Sequence, residues 1–250
     1  MKIKYIKNEK YEKVRKFNEF IEKEFPELLI EEKPGLYLVA GGDGSMLHAI
    51  HSTIESNIPY LGKAMGTFNF LMNDFSNDRI IIEDILKDKI DLDIFESNTI
   101  EAYINGKKVG EAVNDIIIGD KITDYISFTI STKSGDFDNF EVKGSGLCIS
   151  TPIGSTAFNY NNNGSILPID AGLLSITGVV CNKHINDIVP FEEIRIKTSG
   201  TKIFLTTSHL EQLDKDSELI LKKGSKIKLA FLDKKEFLKR RVDISHRFRK

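Results

Sequence analysis

Two hydrophobic periods alternate along the first part of the chain. Lys2-Ile-Lys-Tyr-Ile6 switches between polar and apolar with period two and predicts a short strand. Tyr11, Val14, Phe17, Ile21 and Phe25 recur at helical spacing and predict a helix that stops before Pro26. Leu36-Tyr-Leu-Val-Ala40 is apolar without a break, as expected of a strand buried in a parallel sheet. It runs directly into Gly41-Gly-Asp-Gly-Ser45, after which Met46-Leu-His-Ala-Ile50 reads as a helix opening. Strand, glycine turn and helix in that order predict an α/β phosphate site, with the anion at the carboxyl end of the strand and the amino end of the helix.

From about Thr99 the pattern changes to short β-like runs. These are Thr99 to Ile104, Lys107 to Ile118, Tyr125 to Thr132, Ser175 to Val180, Glu193 to Lys197, Lys202 to Thr207, Glu218 to Leu221 and Lys226 to Phe231. Asn105-Gly106 between the first two predicts a hairpin, because both residues tolerate the positive φ of a type I′ turn. An α/β half followed by a β half predicts two domains with a cleft between them. Asn159 to Gly164 reads as a polar loop, and no fixed-period repeat is present.

Composition mainly excludes. The 250 residues suffice for one large or two modest cores, and 40% hydrophobic with 29% charged residues is ordinary for a soluble protein. Thirty-five basic against 37 acidic side chains give a formal charge of −2, so no global field draws the chain to nucleic acid or membrane. Any anion must be held locally. Two cysteines, Cys148 and Cys181, without a CxxC or a secretory segment, predict a reducing, cytoplasmic setting, and no apolar run is long enough for a membrane span.

The candidate chemistry starts at Asp43. Glycines bring N–H groups to phosphate, which a carboxylate should repel. Either Asp43 reaches a cation, or it faces a hydroxyl that attacks phosphorus, orienting it first and taking its proton second. Ser150-Thr-Pro-Ile-Gly-Ser-Thr-Ala157 crowds four hydroxyls around a proline and a glycine, a composition suited to a hydrogen-bonding loop. Phe158 and Tyr160 follow and offer a flat face for a base. Asn114-Asp115 pairs an amide with a carboxylate, suited to a ring nitrogen and to vicinal hydroxyls. The bland alternatives are a capping turn, a surface turn and a strand edge. His48 and His51 lack a third ligand and read as packing residues; Lys239-Arg240-Arg241 and 247–250 read as a solvated basic face and tail. Cys148, between Leu147 and Ile149, reads as a small buried hydrophobe.

Taken in order, Gly41-Gly42-Asp43-Gly44, Asn114-Asp115, and Gly146-Leu147 with Ser150 to Phe158 resemble the three signatures of the NAD kinase family, across nearly the whole chain. The resemblance implies transfer of the γ-phosphoryl group of ATP, or of polyphosphate, to the adenosine ribose 2′-hydroxyl of NAD, with Mg2+ or another divalent cation. It implies a Rossmann-like α/β domain with a parallel sheet at 1–95, rejoined by about 232–250, a β-rich, sandwich-like domain at 96–231, and a homo-oligomer, dimer or tetramer. It places Asp43 at the 2′-hydroxyl, Gly41, Gly42 and Gly44 on phosphates, Asn114 and Asp115 on the adenosine, and Thr156 and Ala157 at the adenine edge. Phe158 stands where tyrosine is usual, and Phe70, Asn161 and His209 match further NAD-binding positions; no side chain is assigned as a metal ligand.

Several positions depart from the family pattern. Asp115 replaces glutamate, Asn69 a glycine, Ser145 an aspartate, Asn161 a serine, Asn163 a glycine and Ser165 a proline, which implies a divergent member with an altered dinucleotide pocket. Two alternatives stay open: a diacylglycerol- or sphingosine-type lipid kinase sharing the G-G-D-G loop, and a dinucleotide-binding protein of the same fold with weakened catalysis.

Overall fold

A computed structural model describes the chain except residues 10, 67–68, 207–208 and 248–250; it also leaves the side chains of 206, 209–210, 240, 242 and 244–247 undescribed. The chain divides into two compact units, 1–96 with 227–250, and 97–226.

In the first unit β1 (Ile3–Ile6) is followed by α1 (Glu12–Glu24) and the single turn α2 (Glu27–Ile30). Next come β2 (Leu36–Gly41), α3 (Asp43–Thr53), β3 (Tyr60–Ala64) and α4 (Asp78–Leu86). β1, β2 and β3 pair in parallel in that order. Val14, Phe17 and Ile21 of α1 and Ile82 and Ile85 of α4 share one core with Leu36, Leu38 and Leu61 of the sheet. Asn77 caps α4, its Oδ1 accepting the Ile80 N–H at 3.1 Å.

The second unit takes up most of β4 (Asp93–Ile104), then β5 (Lys107–Ala112), β6 (Asp115–Gly119), β7 (Ile126–Thr132) and β8 (Phe140–Ser150). The single turn α5 (Phe158–Asn161) precedes β9 (Leu173–Cys181), β10 (Asn186–Pro190), β11 (Ile194–Thr198), β12 (Thr201–Thr206) and β13 (His209–Leu213). β14 (Glu218–Phe231) carries the chain back to the first unit from Ile227, where Leu229 and Ala230 pair in parallel with Tyr60 and Leu61. α6 (Lys234–Arg247) closes the chain, with Phe237 stacked on Phe231 at 3.8 Å between ring centroids. The chain is therefore an α/β region with parallel strands plus a β-rich region.

β8 organises the second unit. It is antiparallel to β7 through Phe140–Gly144, to β6 through Gly146–Ser150, and to β9 along Gly144–Ser150. Asn105 (φ 49°) and Gly106 (φ 83°) form the expected positive-φ turn between β4 and β5. The run Lys107 to Ile118, expected as one strand, is two: β5 pairs with β4, β6 pairs with β8 and β12, and Val113-Asn114 makes the change of partner. Glu218 to Phe231, expected as two strands, is one. Among the described residues no helix is long and apolar enough to cross a membrane.

Candidate active site

In the first unit the backbone itself builds an anion-accepting corner. β2 ends on Gly41 at φ 145°, where a Cβ would lie 2.3 Å from Ser45 Oγ, so glycine alone permits this turn. α3 then begins at Asp43, three residues earlier than the helix opening expected at Met46, because the Ser45 and Met46 N–H groups bond the Gly42 carbonyl at 2.9 and 3.2 Å. Asp43 thus sits on the first turn of an 11-residue helix, where free N–H groups and the helix dipole favour negative charge. Beside Gly44 the helix leaves open space, with nothing within 4 Å of where a Cβ would stand.

The Asp43 carboxylate does not hang free. Its Oδ2 accepts the Phe70 N–H at 3.0 Å and its Oδ1 the Leu71 N–H at 2.9 Å. These two N–H groups fix the plane of the carboxylate. The Met65 N–H bonds the Gly41 carbonyl at 2.7 Å, which ties the start of that loop to the glycine turn. A buried polar chain supports the turn from behind: Tyr5 Oη donates to Asn18 Oδ1 (2.6 Å), Asn18 Nδ2 to the Asn8 carbonyl (2.8 Å), and Asn8 Nδ2 to the Ala40 carbonyl (2.7 Å).

Arg241 of α6 is the residue the sequence reading misplaces. It is only 4% exposed, not part of a solvated basic face, and it lies within electrostatic reach of Asp43. Burial pulls its pKa down to about 10, against the opposing effect of the Asp43 charge. Its spacing from Phe237, one helical turn earlier and also buried, is the signal that places it on the inner face.

In the second unit the other two signatures meet each other. Gly154 packs on the backbone of Asn114 so tightly that a Cβ would come within 2.2 Å of the Asn114 carbonyl oxygen. The Thr151 N–H bonds that same carbonyl at 2.9 Å. Three of the four hydroxyls of Ser150 to Thr156 are fully buried and serve the loop itself. Thr151 Oγ1 donates to the Val113 carbonyl (2.7 Å) and accepts the Gly154 N–H (3.0 Å); Ser155 Oγ donates to the Pro152 carbonyl (2.8 Å) and accepts the Leu167 N–H (3.0 Å). Ser150 pairs with Asp115 across β6 and β8. Thr156 Oγ1 donates to the Ile153 carbonyl at a long 3.4 Å. The loop is thus built mostly by its own hydroxyls.

Asp115 opens β6, and its carboxyl is enclosed although the residue keeps some surface. Burial raises its pKa to about 6, partly offset by the Ser150 hydroxyl, the Phe158 N–H and the Cys148 thiol facing it. Cys148 Sγ lies 3.8 Å from Asp115 Oδ1; burial first, and the Asp115 charge second, push the thiol well up, so it stays protonated and donates. Asn114 Oδ1 is a buried acceptor with no donor among the described residues. Ala157 is half-buried and Phe158 is 37% exposed. Asn161 is exposed at the end of α5, and the His209 side chain lies outside the described residues.

Asn159, read as part of a polar loop, is instead fully buried: Nδ2 donates to the Ser165 and Ser155 carbonyls at 3.0 and 3.3 Å, and Oδ1 accepts the Ser175 hydroxyl at 3.0 Å. No signal in the local composition separates it from Asn161 and Asn163, which are exposed. Among the described residues no group of three His, Cys, Asp or Glu side chains could hold a metal ion.

No family model matches the chain. The chain is 29% identical over 150 residues to the NAD kinase of Rickettsia bellii (strain OSU 85-389), a match covering 59% of this chain and 57% of that protein. It is 28% identical over 186 residues to the NAD kinase of Rickettsia canadensis (strain McKiel), covering 71% and 68%. Yeast NADH kinase complexed with NADH superposes with a TM-score of 0.79 at 19% identity, over 96% of this chain and 86% of that one. An NAD kinase from Archaeoglobus fulgidus in complex with ATP gives 0.73 at 15% identity, over 98% and 97%.

Proposed function

We propose that this chain is a member of the NAD kinase family and transfers a phosphoryl group from ATP to the 2′-hydroxyl of the adenosine ribose of NAD, giving NADP and ADP. The observation that carries the reading is the Asp43 carboxylate, fixed by the Phe70 and Leu71 N–H groups at the amino end of α3. A fixed carboxylate at a phosphate-binding corner suits a reaction in which the protein supplies orientation and charge more than bond chemistry. In the step, the ribose 2′-oxygen bonds to the γ-phosphorus, the β–γ bridging bond breaks with its electron pair leaving on ADP, and the 2′-hydroxyl proton passes to Asp43. Gly41, Gly42 and Gly44 would face the phosphates.

Asn114 Oδ1, enclosed and without a donor among the described residues, would accept from the exocyclic amine of adenine. Thr156 and Ala157 would meet the adenine edge, and Phe158 and Phe70 would lie against the nucleotide. Asp115 would act on the ribose and at the same time hold the Phe158 segment in place. Asn161 and His209 are proposed as outer contacts. A divalent cation would come bound to the phosphates of ATP. We place the enzyme in the cytoplasm as a homo-oligomer.

The test is NADP formation from NAD with ATP and with polyphosphate, side by side, in the presence of magnesium. Turnover of diacylglycerol or sphingosine instead, or NAD binding without NADP formation, would sink the reading.

A further inference from the structure

Resting on the role proposed for Asp43, we infer that Asn69, which stands where the family has a glycine, is the positioning residue that holds the Asp43 carboxylate in its working orientation. The loop between β3 and α4 grips Asp43 through the backbone N–H groups of Phe70 and Leu71. Such a grip is only as rigid as the loop that carries it.

The far end of the loop is fixed heavily. Leu71 and Met72 are buried at 3% and 0%, and Asn73 is a buried cross-tie. The Asn73 N–H bonds the Gly62 carbonyl at 2.7 Å, its Nδ2 donates to the Gly62 and Ala230 carbonyls at 3.1 Å each, and its Oδ1 accepts the Leu232 N–H at 2.9 Å. The near end is tied by the Met65 N–H to the Gly41 carbonyl at 2.7 Å. Gly66 is exposed, and its carbonyl accepts from Asn69 Nδ2 at 2.8 Å. That bond joins the residue directly before Phe70 back to the start of the loop.

A second observation fixes which way the amide points. Asn69 Oδ1 is buried with no donor among the described residues, and exchanging the amide atoms would set oxygen against the Gly66 carbonyl oxygen. A glycine here could not make the tie; Asn69 replaces backbone freedom with a cross-link.

The experiment compares wild type with Asn69→Asp, which keeps the shape but loses the donor, and with Asn69→Gly, which removes the side chain. Steady-state kinetics with NAD and ATP are read together with backbone amide hydrogen exchange at Phe70 and Leu71. Both variants should lose kcat by roughly tenfold to a hundredfold with each KM within about twofold, since displacing a catalytic group by an ångström costs about that much. Exchange at both amides should quicken by at least about tenfold. Unchanged exchange and kcat would overturn the inference, as would a changed KM with kcat intact, which would make Asn69 a binding residue. If the wild type forms no NADP, the proposed function fails, and exchange at the two amides still decides the inference. Should Asn69→Asp misfold, Asn69→Gly carries the test.

Discussion

Asp115→Asn tests whether the enclosed carboxyl of the second unit is destabilising at neutral pH. Its folded pKa of about 6 stands above the ordinary 3.8 because burial disfavours the charge more than Ser150, Phe158 and Cys148 favour it. Below pH 4 the carboxyl is protonated in the folded and the unfolded chain, and its full contribution to stability is present. Between pH 4 and 6 the unfolded chain sheds the proton while the folded chain keeps it, so stability falls as pH rises. Above pH 6 the loss is complete. A shift of about two units at 1.36 kcal/mol each bounds it at about 3 kcal/mol. Asparagine has nearly the same shape, can accept the Phe158 N–H and can donate toward Ser150, yet carries no charge to desolvate. Urea titrations of both proteins from pH 4 to pH 8 isolate this one group, because all other carboxyls are common to the two. The variant should gain on the wild type steadily up to about pH 6.5, by up to about 3 kcal/mol, and then hold level. Parallel curves, with a difference constant to within about 0.5 kcal/mol, would refute the reasoning.

Asp43→Asn should lower turnover by roughly two or more decades, on the scale of a lost proton acceptor. It should also lower stability by about 1–2 kcal/mol, since asparagine can accept only one of the Phe70 and Leu71 N–H groups and turns an NH2 toward the other; unchanged kcat removes Asp43 from the chemistry. Arg241→Met, combined with Asp43→Asn in a double-mutant cycle of unfolding free energies, should give a coupling of about 1 kcal/mol; additive effects would deny the electrostatic pairing. Gly154→Ala forces a methyl group to within 2.2 Å of the Asn114 carbonyl oxygen and 2.6 Å of its Cα, so the segment must part from β6. A loss of about 3 kcal/mol in chemical denaturation is expected, and a loss below 1 kcal/mol would mean that the two segments slide past each other freely.

Much of the fold was legible because it is written in local period and turn chemistry. The amphipathic spacing of α1, the unbroken apolar run of β2, and the Asn105-Gly106 hairpin each carry their own signal. β8 carries none: Gly144 and Gly146 lower its strand propensity, and its second half is buried throughout, so the alternation of a half-exposed strand disappears. The break at Val113-Asn114 is equally silent, since it reflects a change of pairing partner and not a change of residue type.

The sequence by itself determined which chemistry is available: a carboxylate among glycines, a crowd of hydroxyls, an amide beside an acid, and their order along the chain. Only the tertiary structure decided how that capacity is divided between holding the fold and meeting a ligand. Three hydroxyls are buried and help to hold the fold, Asp115 is enclosed, Asn114 keeps an acceptor without a donor among the described residues, and Arg241 moves from an expected solvated face to a buried place near Asp43. Composition counts donors and acceptors. Which of them are already satisfied, and which charges have lost their water, depends on contacts between residues far apart in the chain, which no local pattern encodes.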